Sequence, residues 1–293
     1  MNGIPRRILQ SWKTHQVPDH WKASPESIRR HMPQYEYTLT DDHENRAFVE
    51  KHMPEFLATY DTFPYPIQRA DAIRYLWLYV NGGAWCDLDM IITGDLEPAV
   101  ERAIARSKDP SKVQVVLIRS GSWTGNAINY LMFSRPGWEG WKVLLRSMMR
   151  PTPWYMNISK HWTVMNTTGP IALDRIVKQW EKTHPGEIAY LPSELVTPRV
   201  ECDSPACQRR SSCDRDANLI QNIDGMSWAS WDSYFLLWFT CHGKSFVGWL
   251  LVIIGLVLML IGFVLAIKFG LVGLAMFIIG DGILVGGLVA FSR

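Results

Sequence analysis

The feature that most constrains this chain is an uncharged apolar run near its C-terminal end. Residues 246–267 contain no charged side chain. At about 1.5 Å per residue, a helix of this length covers the roughly 30 Å hydrocarbon core of a bilayer. Residues 269–291 form a second apolar run, which Asp281 alone interrupts. The sequence therefore predicts a C-terminal transmembrane helical hairpin with spans of about 246–267 and 269–291.

The second run permits another interpretation, because a carboxylate near the middle of a bilayer costs roughly 2.5 to 3.5 kcal/mol on insertion scales. An interfacial or re-entrant segment would spare Asp281 this cost, so the role of that residue stays open. The spacings Gly262 to Ala266 and Gly282 to Gly286 let helices approach closely, and we expect them to support oligomerisation. The few Lys and Arg residues beside the runs leave the orientation of the body undecided.

The residues before the runs have the composition of a soluble domain. Of the 30 Lys and Arg and the 28 Asp and Glu residues, all but three precede residue 245. The net charge of +2 provides no basic field for a polyanion, so nucleic acid is not an expected partner. We predict one domain over residues 1–240 and a membrane anchor over residues 241–293. The first fifteen residues lack the apolar core of a cleavable signal. We expect either that the tail alone attaches the protein or that the start of the chain differs from that of related proteins.

The body alternates segments typical of strands and of helices, which predicts an α/β domain. We predict strands at residues 8–12, 35–39, 84–92 and 113–118, and helices at residues 24–30, 44–52, 66–80, 137–149 and 170–182. In the helix at 66–80, the predicted core stripe consists of Ala70, Ile73, Trp77 and Val80. Gly82 and Gly83 predict the cap and turn that end this helix.

Two acids, Asp87 and Asp89, form an Asp-x-Asp sequence within the predicted strand at 84–92. Alternate side chains of a strand share a face, so both carboxylates should point the same way while Cys86 and Leu88 face the sheet. Paired carboxylates at the mouth of an α/β sheet suit Mg²⁺ or Mn²⁺, which complete their shells with phosphate and water. The pattern predicts a site for a nucleoside diphosphate, although a bare Asp-x-Asp also occurs as a solvated strand end.

Asp71 and Arg74 stand three residues apart on the helix that leads into this strand, so they share a helix face. One interpretation is an intrahelical ion pair. The other is a carboxylate and a guanidinium directed at the hydroxyls of a sugar beside the metal.

Together these segments resemble glycosyltransferase family 32. The resemblance depends on Arg-Ala-Asp at residues 69–71 with Arg74, Gly-Gly at 82–83, the Asp-x-Asp, an opening segment at 4–14 and Thr-Gly-Pro at 168–170. Within the family, residues 65–75, 154–156 and 227–228 are most similar to catalytic subunits of mannosyl-inositol-phosphorylceramide synthases. The resemblance implies a GT-A-like nucleotide-sugar-binding domain and a retaining hexosyl transfer, with GDP-mannose favoured over a UDP-sugar. It also implies a lipid-linked or glycan acceptor, inositol phosphorylceramide among them, in the Golgi or another endomembrane.

The resemblance assigns roles to matching positions. It implies that Trp12 stacks on the base, that Asp71 and Arg74 hold the donor sugar, and that Asp87 and Asp89 bind Mn²⁺ or Mg²⁺ with the diphosphate. Ser227 and Trp228 would close over the diphosphate. Where relatives often place a His before the Ser-Trp pair, this chain has residues 221–224, and the predicted substitutes for the third metal contact are Asn222 and Asp224.

Several alternatives stay open at this point. Trp154 and Trp162 are interpreted either as core residues or as platforms for an acceptor. The departure from the expected His favours, as the main alternative function, a sugar-binding or regulatory module on a degenerate transferase fold. A phosphotransferase, a nuclease or a transport protein is less consistent with the charge balance and the large polar body.

Overall fold

The computed structural model describes residues 3–119, 126–192, 195–197, 219–223, 227–235, 250–251, 253–258 and 260–261. The chain divides into two compact units, Met1–Trp228 and Ala229–Arg293. The predicted domain boundary at residue 240 falls outside the described residues and stays a prediction.

The first unit alternates strands and helices, as the sequence predicts. Its described strands are β1 (Arg7–Ser11), β2 (Glu36–Thr40), β3 (Gly83–Cys86), β4 (Met90–Ile92), β5 (Val115–Arg119), β6 (Ala127–Ser134), β7 (Ile188–Leu191), β8 (Val196–Thr197) and β9 (Ile220–Asn222). Its described helices are α1 (Ala23–His31), α2 (Asp42–His52), α3 (Leu57–Thr62), α4 (Pro66–Asn81), α5 (Glu97–Ala105), α6 (Glu139–Met148), α7 (Lys160–Thr167) and α8 (Pro170–Thr183). The α/β class is therefore confirmed.

Six strands form a mixed sheet in the order β2-β1-β3-β6-β5-β7. Strand β1 runs parallel to β2 and β3, and β5 runs parallel to β7, whereas β6 is antiparallel to both of its neighbours. The other three strands form a small sheet in the order β4-β9-β8. In it, β9 is antiparallel to β4 and parallel to β8.

The single strand predicted at residues 84–92 is wrong. Strand β3 ends at Cys86, a turn follows in which the Met90 N–H donates to the Asp87 carbonyl at 3.2 Å, and β4 then joins the other sheet. Asp is disfavoured in strands and favoured in turns, which explains why the strand breaks at the Asp-x-Asp. Cys86 and Leu88 are both buried, but Leu88 lies in this turn and, contrary to the prediction, does not face the sheet from a strand.

Helices cover both faces of the six-stranded sheet. Leu9 and Trp85 contribute to a core with α2, α3, α4, α6 and α8 on one face, whereas Ile8 and Ala84 contribute to a core with α1 and α5 on the other. This alternation along β1 and β3 follows from the two-residue period of a strand. The side chain of Asp87 continues on the α4 side, where it meets Arg74.

The predicted core stripe of α4 is too narrow. Ile73 and Trp77 are buried, but so is every residue from 71 to 78, whereas Ala70 and Val80 are only partly buried. Helix α6 packs against α4 and covers a second face of that helix, which the predicted stripe did not include. The helix ends at Gly82, as predicted.

Gly82 and Gly83 both adopt positive φ, of 64° and 93°. A Cβ atom at Gly83 would lie 2.5 Å from the carbonyl oxygen of Arg7 on β1. Glycine is required here because it allows β3 to start directly against its parallel neighbour.

In the second unit, residues 231–235, 250–251, 253–258 and 260–261 are helical. Within the part of the chain that the structure describes, no helix is both long and apolar enough to span a bilayer. The first predicted span, 246–267, is described only in part, and the second, 269–291 with Asp281, lies outside the described residues. The hairpin thus stays a prediction.

Candidate active site

The Asp-x-Asp sequence lies in the turn that joins the two sheets. The Asp87 N–H donates to the carbonyl of Tyr130 at 2.8 Å, and the side chain of Gln10 donates to the Asp87 carbonyl at 3.2 Å. On the other side of the turn, the Asp89 carbonyl accepts the N–H of Ile223 at 2.8 Å. Both sheets therefore fix the backbone from which the two carboxylates project.

Two side chains, those of Arg74 and Trp85, contact the carboxylate of Asp87. Arg74 Nη1 lies 3.1 Å from Asp87 Oδ1, and the indole N–H of Trp85 donates to the same oxygen at 2.6 Å. The guanidinium also stands over the Trp85 ring, 4.9 Å from its centroid. Burial raises the pKa of Asp87, against the lowering effect of Arg74 and Trp85. The Asp87 side chain remains 26% exposed, so it can still accept a ligand.

Arg74 connects Asp87 to Asp71. Its Nη2 lies 3.1 Å from Asp71 Oδ1, and its Nη1 donates to the Asn129 carbonyl at 2.7 Å. The side chains of Arg74 and Asp71 are only 4% and 5% exposed. The i,i+3 ion pair, one of the two interpretations of these residues, is therefore present, and it continues into the Asp-x-Asp as a buried chain of alternating charge.

Two neutral donors complete the environment of Asp71. The side-chain amide of Asn129 donates to Oδ1 at 3.0 Å, and the hydroxyl of Thr168 donates to Oδ2 at 2.8 Å. Burial raises the pKa of Asp71 to about 6, although Arg74, Thr168 and Asn129 all lower it. Burial, together with the nearby charge of Asp87, thus outweighs the effect of these three partners on the pKa of Asp71.

Sequence reasoning singled out the segment that contains Thr168 but not Asn129. Thr168 belongs to the Thr-Gly-Pro segment, to which the sequence assigned no role. Asn129 lies on β6, a strand that was not predicted, and sequence reasoning missed it. A single buried amide within the apolar run 127–133 is the signal that could have found it, since such a group needs partners.

The remaining predicted site residues lie at several places. Trp12 follows β1 at the same edge of the sheet as Asp87, and its ring packs edge-on against Trp21 at 4.7 Å. Asn222 pairs with Met90, the residue after Asp89, which places it beside the Asp-x-Asp. Asp224 lies outside the described residues.

The predicted diphosphate-closing pair, Ser227 and Trp228, lies against a different element. Ser227 is exposed. The ring of Trp228 stacks on His161 of α7, with centroids 5.4 Å apart and planes at 24°. The structure thus associates Trp228 with the helix that leads to Thr168.

The donor set around the Asp-x-Asp fits a divalent cation. Among Asp71, Arg74, Asp87 and Asp89, three carboxylates and one guanidinium leave two negative charges, and all available ligand atoms of the acids are hard oxygens. Asn222 adds an amide oxygen nearby. Mg²⁺ and Mn²⁺ prefer such ligands.

A separate group with ligand-type atoms occurs on α2. In the described part of the chain, His15, Asp41 and Glu44 bring one such atom each within 4.8 Å of the others. Asp41 and Glu44 are the capping box of α2, and His15 Nε2 lies 3.1 Å from Glu44 Oε2. We attribute this exposed group to helix capping.

Comparison with known proteins identifies the class. Residues 18–108 match the family described as "Glycosyltransferase sugar-binding region containing DXD motif". The matched span includes Asp71, Arg74, Asp87 and Asp89. Residues 18–108 are thus similar to the DXD sugar-binding region of glycosyltransferases, in agreement with the resemblance to family 32.

Individual relatives are more specific. Inositol phosphoceramide mannosyltransferase 3 of Schizosaccharomyces pombe is 29% identical over 251 residues, which cover 85% of this chain and 63% of that protein. Mannosyl phosphorylinositol ceramide synthase SUR1 of Saccharomyces cerevisiae is 32% identical over 184 residues, which cover 61% of this chain and 43% of that protein. The chain thus spans less than two thirds of the length of these relatives.

One solved structure shows a more distant likeness. The glycosyltransferase GlyE of Streptococcus pneumoniae TIGR4 superposes with a TM-score of 0.46 at 13% identity, over 77% of this chain and 56% of that chain. We draw no inference from a likeness of this size.

Proposed function

We propose that this chain is a membrane-anchored, metal-dependent, retaining glycosyltransferase that transfers mannose from GDP-mannose to a lipid-linked acceptor, inositol phosphorylceramide. The observation that carries the proposal is the Arg74–Asp87 ion pair, because it fixes the first acid of an Asp-x-Asp turn within a matched sugar-binding region. The names of the relatives supply the sugar and the acceptor. We place the protein in the Golgi or another endomembrane, anchored by the predicted hairpin.

In this proposal Asp87 and Asp89 hold Mn²⁺ or Mg²⁺, with Asn222 or Asp224 as a third contact. A bound cation supplies stabilisation of the negative charge that develops on a departing nucleoside diphosphate. The chain's own residues prepare for this. Arg74 contacts both carboxylate oxygens of Asp87 and Trp85 donates to Oδ1, which fixes the carboxylate while 26% of the side chain stays exposed.

Asp71 and Arg74 are proposed to serve the donor sugar. Because both side chains are almost completely buried, we propose that they act on the sugar chiefly by fixing the position of Asp87. Trp12 is proposed to stack on the base, since it lies at the same sheet edge. Ser227 and Trp228 are proposed to close over the diphosphate from the side of α7.

Retention of configuration can arise by two routes. In a front-side reaction, the acceptor oxygen bonds to the anomeric carbon as the bond to the leaving phosphate breaks, and that phosphate oxygen takes the acceptor's proton. In the other route, a protein carboxylate bonds to the anomeric carbon as the nucleoside diphosphate leaves. The acceptor oxygen then displaces this carboxylate and passes its proton to a general base. Both give the same anomer as the donor, so product stereochemistry tests retention itself.

The full chain in detergent micelles with inositol phosphorylceramide tests the proposal. We expect GDP release from GDP-mannose, little release from UDP-sugars, and loss of release with EDTA. Asp87→Asn and Asp89→Asn should each lower the rate by about 100-fold or more, in line with removal of a charge-stabilising group. Asp61→Asn, which alters an exposed acid paired with Arg46, is the matched control.

Two outcomes would contradict the proposal. Turnover of another donor in preference to GDP-mannose would replace the assigned sugar. Binding of GDP-mannose without turnover, whichever lipid or glycan acceptor is added, would favour the sugar-binding module instead.

A further inference from the structure

A group of apolar side chains stands exposed on the first unit, just before and within the first turn of α7. We call Trp154, Tyr155, Ile158 and Trp162 the aromatic patch. Trp154 is 82% exposed and Ile158 is 68% exposed, and the other two are also exposed. The interpretation of Trp154 as a core residue is therefore wrong. Contiguous exposed apolar groups of this kind mark interaction surfaces.

Hydrogen bonds hold the patch in this exposed arrangement. The indole N–H of Trp162 donates to the carbonyl of Tyr155 at 2.8 Å, and the Trp154 and Tyr155 rings meet edge-on at 6.1 Å. Thr163 Oγ1 donates to Asn157 Oδ1 at 3.1 Å, which ties the segment to α7. These bonds fix the positions of Trp162 and Asn157, while the side chains of Trp154 and Ile158 remain exposed.

The sequence around the patch is positively charged. Between Glu139 and Asp174 there is no acidic residue, and the stretch contains four Lys or Arg residues, Lys142, Arg146, Arg150 and Lys160. Arg150, four residues before Trp154, is exposed. Trp and Tyr beside Lys and Arg are typical of protein surfaces at the membrane–water interface, where the rings enter the head-group region and cations attract anionic lipids.

The patch also lies close to the candidate active site. Helix α7 starts at Lys160 beside the patch, and Thr168, directly after its end, donates to Asp71. Eight residues at about 1.5 Å each place Thr168 about 12 Å along the helix axis from Lys160, and Asp71 lies one hydrogen bond beyond Thr168. A surface docked on the patch would therefore present its head groups near the site.

We propose that the aromatic patch is a membrane-docking surface that seats the first unit on a bilayer containing anionic phospholipid. The patch enters the head-group region, and the cations around Arg150 contact the lipid phosphates and carboxylates. The inference goes beyond the proposed function because it does not depend on the donor, the acceptor or the metal.

Site-directed spin labelling of the full chain in vesicles tests this surface. The label is placed at Ile158→Cys, in a background in which the cysteines other than the buried Cys86 are replaced by Ser. Glu50→Cys, on the exposed face of α2, is the control. In phosphatidylcholine vesicles containing phosphatidylserine, we expect the label at 158 to collide several-fold less with a water-soluble nickel chelate than the label at 50, and more with oxygen.

Equal chelate accessibility at the two positions would overturn the proposal. So would spin–spin broadening at 158 that is the same with and without anionic lipid, which would identify a second copy of the chain as the occupant. Trp154→Ala and Arg150→Glu should each restore accessibility at 158, the latter only where phosphatidylserine is present. Protection that survives both changes would also contradict the assignment. GDP release in detergent should stay at the wild-type level in Arg150→Glu, which separates this test from that of the proposed function.

Discussion

The guanidinium of Arg74 lies 3.1 Å from the carboxylate of Asp87, the first acid of the Asp-x-Asp turn. The two residues are 13 positions apart and belong to different elements, so the position of Asp87 depends on α4 as well as on its own turn. Arg74 is also paired with Asp71. A change in α4 should therefore affect the site even where it touches no ligand.

Arg74→Met is expected to destabilise the fold by about 3–5 kcal/mol, because it leaves two buried carboxylates without their cation. Arg74→Lys keeps the charge, but a single ammonium group cannot replace the planar fork that reaches Asp71, Asp87 and the Asn129 carbonyl. We expect it to lose most GDP release while retaining part of the stability. Chemical unfolding and GDP release measure the two effects.

Arg46→Met is the control for this prediction, since Arg46 forms an exposed pair with Asp61 at 2.7 Å. Such exposed pairs contribute up to about 1 kcal/mol. If both Met variants lost the same free energy of unfolding, the buried charges would not stabilise the fold.

Asp71 should make stability and activity depend on pH. Burial raises its pKa to about 6 from an ordinary value of 3.8. Because the folded protein binds this proton more tightly than the unfolded chain does, protonation of Asp71 stabilises the fold. This stabilisation is fully present below pH 3.8 and is lost as pH rises through about 6, a loss on the order of 3 kcal/mol in the free energy of unfolding. Activity should change in the opposite sense, because a neutral Asp71 no longer pairs with Arg74, so kcat/KM should fall below about pH 6. Unfolding and rate profiles between pH 4 and 8 measure both, and Asp71→Asn should abolish the unfolding component.

Thr168→Val should move the acidic limb of the rate profile to higher pH. The Thr168 hydroxyl donates to Asp71 Oδ2 and lowers the pKa of that acid, so its removal raises the pKa further. A hydrogen bond to a charged group contributes about 1.5–3 kcal/mol, which corresponds to about one to two pH units. Thr62→Val, which removes an exposed hydroxyl bonded to the Ala58 carbonyl, should leave the profile in place. Identical profiles for the two variants would remove Thr168 from the site.

Gly83→Ala should cost about 2–4 kcal/mol of unfolding free energy, because the new Cβ would lie 2.5 Å from the Arg7 carbonyl at a φ of 93°. Gly137→Ala is the matched control. Its φ is 78°, but its Cβ would meet nothing within 4 Å, so only the conformational cost of about 1 kcal/mol applies. Equal losses in thermal or chemical unfolding would show that the contact between β1 and β3 tolerates the methyl group.

Asn222→Ala should raise the Mn²⁺ concentration needed for half-maximal activity by about tenfold, if this amide is the third metal contact. Asn222→Asp, which keeps an oxygen ligand, should preserve or strengthen metal affinity. Gln221→Ala changes the neighbouring residue of β9, whose side chain faces the opposite side of the strand, and serves as the control. A metal requirement that is unchanged in Asn222→Ala would leave Asp224 as the remaining predicted contact.

The sequence predicted the elements that have strong local signals. The start of α4 at Pro66, its end at Gly82 and the pairing of Asp71 with Arg74 all follow from turn chemistry and helical spacing. Asp favours a turn at this position, but the break at Asp87 was not predicted, because the strand that pairs with β4 lies far along the chain. Asn129 was missed for the same reason, since its role comes from contacts across the sheet.

The small sheet has a consequence for the order in which the chain folds. The six strands of the central sheet all precede residue 192, whereas β4 pairs with Ile220–Asn222, about 130 positions after it. Closing so long a loop carries a large entropy cost that few contacts offset. At about 5–20 residues per second, synthesis reaches β9 roughly two to six seconds after β7. A nascent chain can therefore hold its charged α4 cluster before the edge beside Asp89 exists, and cation affinity would be among the last properties that the growing polypeptide acquires.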